Sequence, residues 1–195
     1  MNHIEAIDAG LAANISRNEL IRKIYLIYPT KAFVGEEEAQ FRIFNKISVN
    51  FEVPIMNVQA AGSAKTGHSF HKQKLFTKGV SDLDVAIIDT RLFVIYMEMV
   101  LKETRGYSDR SGFPIKNNTS TFDEYIAYLS KGIFRPDLMP TCSLRSKYKD
   151  FFDLLSQENK GMFKSISAVI YMSQHCFESK QRSILKIYEI NKAIK

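Results

Sequence analysis

Apolar side chains recur at helical spacing through the first fifty residues. Leu20, Ile21, Ile24, Ile27 and Tyr28 return every three or four positions, and Pro29 stops the run. A second helix is predicted after Gly35, with Glu36, Glu37 and Glu38 in its first turn, where carboxylates favour the positive end of the helix dipole. Its buried stripe reads as Phe41, Phe44, Ile47 and Phe51, and Pro54 ends it. The period then shortens. Residues 55–60 alternate as a strand does and run directly into Gly62-Ser63. After a polar stretch over 65–81, residues 83–88 (Leu-Asp-Val-Ala-Ile-Ile) form a second strand that is apolar on both sides beyond its start, which suits a covered central strand. Asp89-Thr90 predicts a helix start, with Leu92, Val94, Ile95, Met99 and Leu101 as the apolar face. Residues 106–120 read as a loop. Helices are expected again at 121–129, at 144–155 and from 160 to the end.

These elements predict a single α+β domain over residues 1–195. It has N-terminal helices over 1–52, a core over 53–105 and a mainly helical region over 106–195 that caps a small sheet. With 45% hydrophobic residues and 25% charged ones, the chain can bury one sizeable core. The formal charge of +6, from 27 Lys and Arg against 21 Asp and Glu, suits a polyanionic ligand without requiring one. Cys142 and Cys176 lie too far apart for a close-spaced metal pattern, and two free thiols fit a reducing compartment. No apolar run approaches the roughly 20 residues that span a bilayer, and residues 1–10 lack an apolar signal core, so no membrane partner and a cytoplasmic location are expected.

The chemistry concentrates in Ala60-Ala61-Gly62-Ser63-Ala64-Lys65-Thr66-Gly67 and in Gly79-Val80-Ser81-Asp82-Leu83-Asp84-Val85. Residues two apart on a strand share a face, so Asp82 and Asp84 project together while Leu83 turns into the core. Two converging carboxylates repel unless a cation lies between them, and magnesium takes one or two carboxylates plus substrate phosphates. A strand that ends in Gly-Ser lets backbone approach a ligand closely. A helix starting at Ser63 would offer free N–H groups and a hydroxyl to phosphate oxygens, with Lys65 adding charge.

The combined pattern of Gly62, Ser63, Gly67, Ser81, Asp82, Leu83, Asp84 and Val85 resembles the DNA polymerase β-like nucleotidyltransferase superfamily, in the form of its minimal bacterial members. More diffusely, residues 132–137 and 177–179 are similar to uncharacterised bacterial nucleotidyltransferase-like proteins. The resemblance implies a nucleotidyltransferase fold, with a short mixed sheet flanked by helices. It also implies Mg²⁺- or Mn²⁺-dependent transfer of a nucleoside monophosphate from an NTP, with ATP as the expected donor. The acceptor would be a hydroxyl of a protein, an RNA or a small molecule, and toxin–antitoxin control or phage defence are roles such proteins have. Asp82 and Asp84 would hold the metal, and Gly62, Ser63, Lys65 and Ser81 the nucleotide. Two departures matter. The gap over residues 64–81 is longer than the family's, and it carries Lys65, Lys72, Lys74, Lys78, His68 and His71. The family's third carboxylate also has no obvious counterpart; Glu103, Asp109 and Asp137 are candidates, and Asp137 is preferred because 134–137 reads as non-helical. Without that carboxylate the expectation becomes an inactive module that binds nucleotide, or a protein or RNA partner.

Other readings are weaker. Residues 62–69 match a P-loop except that His68 stands where the phosphate-binding lysine belongs. His68 and His71 have no Cys, Asp or Glu beside them for a metal. His175-Cys176 suggests a helix position beside the core rather than a catalytic pair. The basic residues Lys180, Arg182, Lys186, Lys192 and Lys195 alternate with Ile184, Leu185, Ile187 and Ile190 as on a solvated amphipathic helix, with an RNA-facing surface as the sharper alternative.

Overall fold

The computed structural model describes residues 2–194. The N-terminal region contains α1 (His3–Ala12), α2 (Arg17–Ile21) continuing as a wider π-helical stretch over Arg22–Ile27, and α3 (Glu37–Phe51). The core continues with β1 (Val58–Ala61), α4 (Gly62–Thr66), the short pair β2 (His68–Ser69) and β3 (Lys74–Leu75), then β4 (Leu83–Ile88) and α5 (Thr90–Glu103). Beyond it lie β5 (Ile115–Lys116), β6 (Thr119–Ser120), α6 (Phe122–Leu129), β7 (Ile133–Phe134), α7 (Ser143–Glu158), β8 (Ile166–Tyr171) and α8 (Gln174–Ala193).

The main sheet is mixed, in the order β1-β4-β8-β7. β1 and β7 run antiparallel to their neighbours, whereas β4 and β8 are parallel, with Asp84 beside Ser167 and Ile88 beside Tyr171. The pattern of residues 83–88 as a covered central strand holds, because β4 is flanked by strands on both sides. The helix expected from 160 onwards does not form as one element. Residues 166–171 are a strand and the helix starts at Gln174, capped by the Ser173 hydroxyl on the Cys176 N–H. The alternation of Ile166, Ala168 and Ile170 was the available signal, and its β-branched content suits a pleated surface. The region over 106–195 is therefore no mere helical cap, since it supplies half the sheet.

Smaller corrections follow from helical geometry. Residues 55–57 form a 3₁₀ turn, so β1 begins only at Val58. In α3 the inward stripe is Ala39, Ile43, Phe44, Ile47 and Phe51; Phe41 sits half a turn away and is 54% exposed. In α5 the buried residues are Leu92, Phe93, Tyr96 and Val100, leaving Val94, Ile95 and Met99 outward. The loop over 106–120 contains the β5–β6 hairpin.

The sheet carries two cores. One face, with Val58, Ala60, Leu83, Val85, Ile87, Ile166, Ala168 and Ile170, packs into the larger cluster with α3, α5 and α7. The other face is covered over Ala86 and Tyr171 by side chains of α1, α8 and the π-helical segment. That cover does not reach the beginnings of β4 and β8, where Asp84 and Ser167 remain exposed. The half-covered face creates the cleft described next.

Candidate functional site

The ends of two neighbouring strands build the site. In the antiparallel register Ala61 lies opposite Asp84, so the turn out of β1 and the start of β4 are adjacent in space. Gly62 opens α4 with φ +59°, a left-handed conformation that side chains rarely tolerate. A Cβ there would also collide with the Asp84 carboxylate. Both constraints demand glycine. The helix that starts at Gly62 leaves its first N–H groups without intrahelical partners, as at any helix start. Gly62 and half-buried Ser63 therefore stand beside the acidic pair, as the motif spacing suggested.

Asp82 immediately precedes β4 and Asp84 is its second residue, while Leu83 is fully buried between them. Asp84 is solvent-accessible yet crowded by protein on most sides, because it sits on the floor of a concavity. That crowding raises its pKa above the ordinary carboxylate value, and the neighbouring Asp82 charge adds to the rise; Lys72 and Arg135 offset part of it. Asp82 accepts a hydrogen bond from the Ser165 hydroxyl at 2.8 Å. Two like charges on one open face form a site that a divalent cation would relieve. Among the described residues no third His, Cys, Asp or Glu joins them to form a metal cage. Magnesium fits such a two-carboxylate donor set, since it normally keeps water and phosphate as its remaining ligands.

The other nominated residues are placed differently. Lys65 is buried, and its ammonium donates to the Tyr28 carbonyl at 2.7 Å, so it ties α4 to the N-terminal region. Burial lowers its pKa to about 8. The Ser81 hydroxyl accepts from the Thr77 N–H at 2.9 Å and closes a turn, which leaves it a structural task. Asp137 lines the same cleft as Asp84 but is engaged by Arg135 through two hydrogen bonds of 2.7 and 2.6 Å. It is thus a positioned counter-ion of Arg135 and not a third member of the acidic pair. Asp109 bonds Ser111, and Glu103 lies in the last turn of α5.

Next to β4, where a third carboxylate would be looked for, stand Ser165, just before β8, and Ser167, within it. The cleft runs from Asp84 over these hydroxyls to Arg135, Arg145 and Lys149, with a volume of about 570 Å³. Arg145 donates to the Asp137 carbonyl at 2.9 Å, and Lys149 pairs with Asp153. None of these β8 and α7 residues was legible as part of a site, because each is distant in sequence from the acidic strand.

The long basic loop folds as the β2–β3 hairpin, with Lys72 in its turn and close enough to act on Asp84. This arrangement disposes of the P-loop reading, because residues 62–66 are already helix and no phosphate-wrapping loop precedes it. Cys142 and Cys176 are both free, and Cys176 packs against Gly132. Among the described residues no helix is long and apolar enough to cross a membrane. No protein-family model matches the chain, and no curated protein or solved structure matches it either.

Proposed function

We propose that this chain has a nucleotidyltransferase-type fold and binds the magnesium complex of a nucleoside triphosphate at the junction of β1 and β4, with ATP the expected donor. The observation that carries this reading is the contact between Gly62 and Asp84: the motif's glycine and its acidic strand are mutually fitted, at a paired strand end. Gly62 and Ser63 would receive phosphate oxygens, and Asp82 and Asp84 would hold the metal. A bound magnesium would polarise the α-phosphate and neutralise developing charge. In the active reading, an acceptor hydroxyl oxygen bonds to the α-phosphorus. The bond to the β-phosphate's bridging oxygen breaks, pyrophosphate leaves with that electron pair, and the hydroxyl proton passes to water. The acceptor is a hydroxyl of a protein, an RNA or a small molecule.

A specific feature favours a second reading. β8 offers Ser167 beside Asp84, and Asp137 is held by Arg135, so among the described residues the acidic pair lacks a third carboxylate to take the acceptor proton. The module then binds Mg·NTP and transfers slowly or not at all.

The test is pyrophosphate release from each of the four NTPs with Mg²⁺ or Mn²⁺, with and without cellular RNA and protein, alongside calorimetric NTP binding. Release that disappears in Asp82→Ala and Asp84→Ala proteins of unchanged fold supports transfer. Binding that needs both aspartates, with no release, supports the second reading. Absence of metal-dependent NTP binding overturns both.

A further inference from the structure

Across the sheet, the site's chemistry changes from strand to strand. The phosphate-receiving turn lies at β1, the carboxylates on β4, two hydroxyls on β8, and Arg135 directly after β7. A nucleotide held at β1 and β4 leaves the β8–β7 side for whatever is presented to its α-phosphate. That side ends in an unusual concentration of cations. The Arg135 guanidinium carbon lies 4.9 Å from the centre of the Tyr128 ring, the Lys180 ammonium 5.3 Å and the Lys131 ammonium 6.0 Å. They come from three separate elements: the turn before β7, the segment after it and the first half of α8.

The ring's quadrupole attracts each cation. Three like charges around one ring still repel one another, and a negative partner relieves that repulsion. Arg135 has acidic neighbours, Asp137 and Glu124. Lys131 and Lys180 form no ion pair among the described residues. The cluster also adjoins the acidic site. Its reach into that site is through Arg135, which lines the same cleft as Asp84. A group bound to the cations would therefore lie beside the carboxylate pair without sharing its metal.

We infer that Lys131, Arg135 and Lys180, gathered on Tyr128, form a phosphate subsite for the acceptor, and that the acceptor is a ribonucleotide bearing a phosphate near its free hydroxyl. The inference rests on the nucleotide being held at β1 and β4. Two sources carry this chemistry, a mononucleotide and the end of an RNA strand. An unmodified protein hydroxyl brings no phosphate to such a subsite.

The experiment separates this subsite from the Mg·NTP site. Binding of a 5′-fluorescein hexa-adenylate RNA is measured by anisotropy without divalent metal, and binding of Mg·ATP by calorimetry. The comparison uses the wild type, a Lys131→Ala/Lys180→Ala protein and an Asp82→Asn/Asp84→Asn protein. The expected result is about a tenfold loss of RNA affinity in the lysine variant. Its log–log salt slope should fall by about 1.4, since each lost single-strand phosphate contact removes about 0.7. Mg·ATP affinity stays within twofold in that variant. The aspartate variant should lose Mg·ATP and keep RNA. Competition by AMP or by unlabelled RNA distinguishes the two sources, and either supports the subsite. RNA binding that ignores the lysines overturns the inference, as does a parallel loss of Mg·ATP in the lysine variant, which would assign the cations to the donor. Loss of lysine-dependent RNA binding is thus separable from failure of the Mg·NTP reading, which shows only in the calorimetry.

Discussion

The β1–β4 half of the site and the β8–β7 half meet at the cleft that Asp84 and Arg135 both line, but they are built in different ways. In the first half, a glycine that tolerates φ +59° and an aspartate two strand positions from its partner are fitted to each other. Every group comes from within residues 62–84. The second half gathers Arg135 from just after β7, Ser165 from just before β8 and Ser167 from β8, with α6 and α8 supplying Tyr128 and Lys180 beside Arg135. The first half is rigid in its requirements: one glycine, two carboxylates, one register. The second is chemically permissive, with hydroxyls, ion pairs and stacked cations. A demanding half beside a permissive one is the division expected where one ligand is fixed and the other sets specificity.

Substitutions that invade the first half should do most to disturb this contrast. Gly62→Ala forces a Cβ into Asp84 at a positive φ. The expected result is about 2–3 kcal/mol lost in chemical denaturation and Mg·ATP binding weakened by about 100-fold. A variant that folds and binds normally would show that the close fit is incidental. Lys65→Met probes the residue that the motif nominated and the fold buried. Leaving the Tyr28 carbonyl unpaired should lower stability by about 1–3 kcal/mol while Mg·ATP affinity changes less than twofold. A large affinity loss instead would return Lys65 to the phosphates.

Ser167→Asp carries the character of the first half into the second. If a missing third carboxylate limits transfer, metal-dependent pyrophosphate release should rise about tenfold, equivalent to about 1.4 kcal/mol of barrier, and vanish when Asp84→Asn is added. An unchanged rate would place the limitation elsewhere. The smallest effect concerns charge. The folded-state pKa of Asp84 is raised, so its contribution to stability is fully present below the unfolded carboxylate value and is lost as pH rises through the folded one. Asp84→Asn should therefore raise Tm at pH 7 by about 1–3 °C, and the gain should shrink as pH falls towards about 4. A gain that is independent of pH would point to packing rather than charge.

The unequal legibility of the two halves has the same origin. Gly62-Ser63 and Asp82-x-Asp84 declare themselves because period-2 geometry and short-range turn chemistry act within a few residues. Ser165 and Ser167 carry no such mark: serines near an apolar run are commonplace, and only pairing with β4 gives them a role. Asp137 was nominated from a non-helical stretch, and the structure does bring it to the cleft, yet its bidentate partner two residues earlier gives it a different task. Lys65 shows the opposite failure. Its position beside the motif suggested a ligand contact, but the rotation of α4 takes it towards Tyr28. The strand over 166–171 is six residues between two long helices, and only the alternation of Ile166, Ala168 and Ile170 marks it.

The parallel pairing of β4 with β8 also sets an order in time. Residues 89–165 intervene between the two strands, so β4 leaves the ribosome with β1 available but its other neighbour not yet made. During that interval the acidic strand has an open edge, and closing it requires a long loop whose entropy is lost before any contact is gained. The finished site is therefore a late event in biosynthesis, and nascent chains stopped before Ile166 should expose a sticky strand and bind no nucleotide.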